Sequence, residues 1–92
     1  MTPVRWRIRV YGKVQGVFFR KYAWLTAHSL GLTGFVKNEP DGSVLAEVEG
    51  APEQVEKFVQ WAHRGSPAAQ VTRVEVEQGL TPQGEQRFEI RE

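Results

Sequence analysis

The chain has 92 residues, enough for one modest hydrophobic core and too few for two, so a single domain over residues 1–92 is the expectation. It has no cysteine, which excludes disulfides and thiolate metal sites, and a reducing compartment, the cytoplasm, suits such a composition. A net charge of +1 argues against a nucleic-acid binder, which normally carries a marked basic excess.

Residues 4–11 alternate. Val4, Trp6, Ile8 and Val10 share one face, and Arg5, Arg7, Arg9 and Tyr11 share the other, which is the pattern of a strand with one buried face. The three arginines also interrupt any apolar core of a signal peptide, so none is expected here. The longest apolar run, residues 22–25, is far too short to span a membrane, and no membrane partner is expected.

Next comes Gly12-Lys13-Val14-Gln15-Gly16-Val17-Phe18-Phe19-Arg20, a glycine-bearing loop between a strand pattern and a helix pattern. Glycine lets a backbone turn sharply and approach a ligand closely. A helix N-terminus offers unpaired N–H groups that suit an anion, and an arginine fork can grip two phosphate oxygens. The loop is not a Walker A loop, because Gly12 and Gly16 are too close and no Ser or Thr follows to hold magnesium. Taken alone, the segment is equally well a plain turn with a solvated arginine.

Phe19, Tyr22, Ala23, Thr26, Ala27 and Leu30 then fall at helical spacing, with Gly31 as the C-terminal cap. A strand over 33–37 and another over 44–49 flank the turn Pro40-Asp41-Gly42, which makes a hairpin. Pro52 suits a first helical position, and Val55, Phe58, Val59 and Ala62 form the stripe of a second helix ending near Gly65. Thr72, Val74 and Val76 alternate with Arg73, Glu75 and Glu77 in a fourth strand. A polar loop over 78–86 leads to a short last strand around 87–91.

The order βαββαβ with a short terminal strand predicts an α+β, ferredoxin-like sandwich: one antiparallel sheet with two helices on one face. The first strand should lie between the third and fourth. Arg5, Arg7 and Arg9 would then face Glu47 and Glu49 on one side and Glu75 and Glu77 on the other, as a solvated charge ladder. His28 and His63 sit late in their helices with no ligand cluster around them, so neither is expected to bind metal or catalyse. Phe18 belongs either to the loop's support or to the core; periodicity does not decide between the two.

A second segment, Gly34-Phe35-Val36-Lys37-Asn38 followed by Gly42-Ser43-Val44, completes a pair of ordered motifs. Both resemble the acylphosphatase patterns Gly-x-Val-x-Gly-Val-x-Phe-Arg and Gly-aromatic-Val-x-Asn-x-x-x-Gly-x-Val, without a departure, and Gly65-Ser66-Pro67 is similar to the family as well. The resemblance covers nearly the whole chain. It implies a small enzyme that hydrolyses acyl phosphates to a carboxylate and inorganic phosphate, with no cofactor and no metal. It further implies that Arg20 and the backbone N–H groups of Gln15, Gly16, Val17, Phe18 and Phe19 hold the phosphoryl group, while Asn38 positions the attacking water. A monomer is expected. Two other functions share the fold: a non-enzymatic anion-binding module, and a single-stranded RNA binder. The second is disfavoured by a third strand with no aromatic residue and two carboxylates.

Overall fold

A computed structural model describes residues 2–92. Its elements are β1 (Val4–Lys13), α1 (Phe19–Ser29), β2 (Thr33–Asn38), β3 (Val44–Gly50), α2 (Pro52–Arg64), β4 (Gln70–Leu80) and β5 (Phe88–Arg91). The sheet order is β4-β1-β3-β2-β5, with β1 between β3 and β4 as the sequence predicts. Ile8 and Val10 of β1, Val36 of β2, and Val44, Ala46 and Val48 of β3 point to one face. There they meet Phe19, Ala23 and Ala27 of α1 and Val55, Phe58 and Ala62 of α2 in one core. This is the ferredoxin-like sandwich. No described helix is long and apolar enough to cross a membrane.

The helix ends follow their sequence signals. α1 closes with a Schellman pair of bonds, from the Leu32 N–H to the Ala27 carbonyl (2.9 Å) and from the Gly31 N–H to the His28 carbonyl (3.2 Å). α2 opens with Pro52 at its first turn and Glu53 beside it, where a negative charge suits the helix dipole.

Three expectations need correction. β5 runs parallel to β2, so the sheet is mixed rather than wholly antiparallel. The fourth strand is longer than its alternating pattern, reaching Leu80, and the loop shifts to residues 81–87. Most consequentially, the arginine row is not solvated along its whole length. Arg5 is only 3% exposed and Glu49 only 6%. The cause is the loop 81–87, which folds over the outer face. Its Gln83 and Gly84 N–H groups donate to the Glu49 carboxylate at 2.7 and 3.0 Å. Arg5 donates to Glu47 (2.9 Å), Glu49 (3.0 Å) and Glu85 (2.7 Å), and Glu47 also accepts from Arg7 at 3.0 Å. Arg7 with Glu77, and Arg73 with Glu75, keep the open, surface character expected of the row.

Burial pushes the Glu47 carboxyl up, but the hydrogen bonds from Arg5 and Arg7 outweigh it and leave the group below its ordinary range. Burial likewise opposes ionisation of Glu49. The Gln83 and Gly84 N–H groups, with Arg5, turn the balance and lower it.

Candidate active site

β1 delivers the chain to the first motif at an irregular point of its pairing with β4, where the register shifts between Tyr11 and Gly12. A Cβ on Gly12 would lie 2.1 Å from the Gln70 carbonyl oxygen, so the two backbones meet this closely only because the residue is glycine. Residues 14–18 then form an open loop before α1. Gly16 has φ +74° and a free surrounding, so its role is conformational rather than steric. Phe18 has φ 61° and ψ 25°, and it is the only described non-glycine residue with positive φ. A left-handed conformation at such a residue costs on the order of 1–3 kcal/mol and persists only where its surroundings impose it.

Positive-φ residues at 16 and 18 flank Val17, an alternation of hand of the kind that builds anion-binding nests. The first helical bond of α1 runs from the Tyr22 N–H to the Phe18 carbonyl (3.1 Å). Among the described residues, none of the N–H groups of Gln15, Gly16, Val17, Phe18 and Phe19 has a backbone or side-chain acceptor. The end of α1 has no side-chain cap and no acid in its first turn.

Of these residues Gly16, Phe18 and Phe19 line a hollow of about 450 Å³, completed by Val14, Arg20, Lys21, Asn38 and Ile90. The two sequence motifs therefore meet at one place, Arg20 from the first turn of α1 and Asn38 from the last position of β2. Arg20 donates through Nη1 to the Arg91 carbonyl of β5 at 2.9 Å, which orients its guanidinium. The Asn38 carboxamide makes no hydrogen bond among the described residues. It does not build the adjacent turn: Asp41 does, accepting from both the hydroxyl and the N–H of Ser43.

Gln15 and Val17 serve the loop from behind rather than lining the hollow. Gln15 Nε2 donates to the carbonyls of Glu39 (2.8 Å) and Ser43 (2.9 Å), tying the loop to the hairpin that carries Asn38. Val17 is buried, and its carbonyl accepts from the Ser66 hydroxyl at 2.7 Å. The Phe18 side chain is 72% exposed at the rim, so it belongs to neither core nor support. Lys21 and Ile90 are lining residues that sequence reasoning did not single out. The place of Lys21 beside Arg20 was the one available signal; nothing in residues 87–91 marks Ile90.

His28 stacks on Trp24 with ring centroids 5.0 Å apart, beside a larger hollow of about 750 Å³ between α1 and β5. That hollow holds no residue of either motif and is not where the chemistry-bearing groups gather. His63 is exposed at the end of α2.

Comparison with known proteins agrees with the motifs. Residues 6–90 match the family model for acylphosphatase. An acylphosphatase of Thermococcus kodakarensis is 49% identical over 90 residues, covering 98% of each chain. One of Trichormus variabilis is 49% identical, covering 98% of this chain and 92% of that one. The crystal structure of acylphosphatase from Bacillus subtilis superposes with a TM-score of 0.94 at 37% identity, covering 97% of this chain and 99% of that one. The chain belongs to the acylphosphatase family and is an enzyme that hydrolyses acyl phosphates to a carboxylate and inorganic phosphate.

Proposed function

We propose that the hollow between the loop and β2 is the active site, that Arg20 and the N–H groups of Gln15, Gly16, Val17, Phe18 and Phe19 hold the phosphoryl group, and that Asn38 positions the attacking water. The observation that carries the proposal is the convergence of Arg20 and Asn38, from two separate motifs, on one hollow beside unpaired N–H groups.

An acyl phosphate is a mixed anhydride, and its leaving group is a carboxylate that is already stable near neutrality. No strong general acid is needed. What remains is to hold the phosphoryl group, balance its charge and set a water in line behind phosphorus. The water oxygen forms a bond to phosphorus while the bond from phosphorus to the acyl oxygen breaks. The carboxylate leaves with that electron pair, and both protons of the water stay with the phosphate. Arg20 brings a permanent charge and a planar fork suited to two phosphoryl oxygens. Asn38 brings one acceptor and two donors without a negative charge that would repel the substrate. The lining offers N–H groups, a guanidinium and an ammonium, a set that favours an anion and would repel a divalent cation. The mechanism is accordingly read as metal-independent.

The reading extends to one domain acting as a monomer and to a cytoplasmic enzyme. Benzoyl phosphate hydrolysis tests it, with wild type and Arg20→Lys assayed in excess EDTA and inorganic phosphate used as inhibitor. The lysine keeps the charge and loses the fork. Turnover in EDTA should match that without it, and the variant should lose about 10²–10³-fold in kcat/KM with weaker phosphate inhibition. A variant with native kinetics would make Arg20 an ordinary helix residue.

A further inference from the structure

We infer that Ser66 is a positioning residue for phosphoryl capture, acting through the carbonyl of Val17; the inference rests on the cradle proposed above. Ser66 lies between α2 and β4, far along the chain from the loop, and is 2% exposed. Its hydroxyl donates to the Val17 carbonyl oxygen at 2.7 Å. Ser66 is itself held: its own carbonyl accepts from the Ala69 N–H at 3.0 Å, and the preceding Gly65 N–H caps α2 on the Trp61 carbonyl at 2.8 Å. The Trp61 ring packs 5.0 Å from Phe19, the last residue of the cradle, so the same segment also fixes the start of α1.

In a trans peptide the carbonyl and the following N–H lie in one plane and point in opposite directions. Ser66 draws the Val17 carbonyl toward the buried side. The N–H of Phe18 must then point the other way, and Phe18 borders the hollow. The left-handed conformation of Phe18 follows from the same orientation. Rotating that peptide by half a turn would carry Phe18 from its φ of 61° to about −120° at its ψ of 25°, on the negative-φ side that L residues ordinarily adopt. It would also aim the Val17 carbonyl at the phosphoryl oxygens and withdraw one donor. The loop thus has a relaxed orientation hostile to the substrate and a strained one that receives it. The Ser66 hydroxyl holds the strained one in place before substrate arrives.

Titration calorimetry with inorganic phosphate tests this on wild type, Ser66→Ala, Ser66→Ala combined with Phe18→Asn, and Arg20→Lys, alongside benzoyl phosphate kinetics. Ser66→Ala should weaken phosphate binding by about tenfold or more, the scale of one lost hydrogen bond with a flipped dipole, and raise KM by a similar factor. Asparagine adopts the left-handed conformation readily, so Phe18→Asn should restore most of the affinity lost by Ser66→Ala. A merely structural serine would lower Tm, leave the phosphate Kd of the folded enzyme unchanged and gain nothing from Phe18→Asn; that outcome overturns the inference. Should Ser66→Ala not fold, Ser66→Cys keeps the volume with a weaker donor. It should bind phosphate measurably less tightly, and a native Kd there is equally fatal. If Arg20→Lys loses phosphate while Ser66→Ala binds it normally, only the role of Ser66 falls. If Arg20→Lys binds as tightly as wild type, the cradle itself is wrong.

Discussion

Asn38→Ala is the variant that most sharply separates binding from chemistry. In the folded protein the Asn38 side chain donates to nothing and accepts from nothing among the described residues, and it sits half-buried at the mouth of the hollow. Its removal breaks no protein hydrogen bond. The adjacent turn keeps the Asp41–Ser43 bonds and the Glu39 N–H bond to the Ser43 carbonyl at 2.8 Å. The stability change should therefore stay within about 0.5 kcal/mol, roughly 2–4 °C in Tm for a chain of this length. The rate is another matter. A neutral group that positions a reactant or holds developing charge contributes on the order of 10²–10³ in rate, about 2.7–4 kcal/mol. Because the loop and Arg20 are untouched, the inhibition constant of inorganic phosphate should change by no more than about twofold, while kcat and kcat/KM fall together. Melting temperature, phosphate inhibition and benzoyl phosphate turnover on the one variant suffice. A large fall in Tm with native kcat would refute the assignment and make Asn38 a turn residue. A loss of phosphate inhibition equal to the loss of rate would move Asn38 into the cradle.

Two further predictions concern the charged face opposite the helices. Arg5→Ala leaves Glu47 and Glu49 under the loop 81–87 without their shared cation, and should cost about 3 kcal/mol, some 12–24 °C in Tm, with native kcat in the enzyme that remains folded; a change under about 4 °C would show that water reaches and screens these groups. Acid should act through the same groups. Glu47, Glu49 and Asp41 all have carboxyl groups held below their ordinary range when folded, Asp41 by the Ser43 hydroxyl and N–H, so their contribution is complete above the unfolded values, about 4.3 for Glu and about 3.9 for Asp, and is lost as pH falls through the lower folded values. Tm followed from pH 8 to pH 2 should fall below about pH 4.5, less steeply in Arg5→Ala, and a decline centred near neutrality would point to other groups.

The features that sequence made legible are those a local pattern encodes. Alternation over residues 4–11 assigned the right faces to Ile8 and Val10, and the Pro40-Asp41-Gly42 turn set the hairpin that carries Asn38. The features it hid depend on distant partners. Arg5 and Arg7 are indistinguishable in an alternating strand, yet one is buried and the other open. The difference is made by Gln83, Gly84 and Glu85, some eighty residues away, in a loop whose composition says only that it is polar. The parallel pairing of β5 with β2 was hidden for the same reason, and with it the arrival of Ile90 and of the Arg91 carbonyl at Arg20. Ser66 was visible only as part of Gly65-Ser66-Pro67, a segment similar to the family. Nothing in its neighbourhood announces that its hydroxyl holds a carbonyl in another segment.

The two helices show by contrast what the site requires. α2 begins as helices ordinarily do, with proline in the first turn and a glutamate to meet the dipole. α1 breaks each of these rules. Like α2 it has no capping side chain, but it starts at a left-handed phenylalanine and places no acid in its first turn, where its charged residues are Arg20 and Lys21. An asparagine or aspartate at position 18 would tolerate the backbone better. A carboxylate there would nonetheless repel the substrate. Local rules are expected to fail where function overrides them. Here the failures share one direction, since each leaves donors or positive charge uncompensated at the same hollow. The α1 N-terminus lacks a cap of its own, and a bound phosphoryl group is the partner that would supply one.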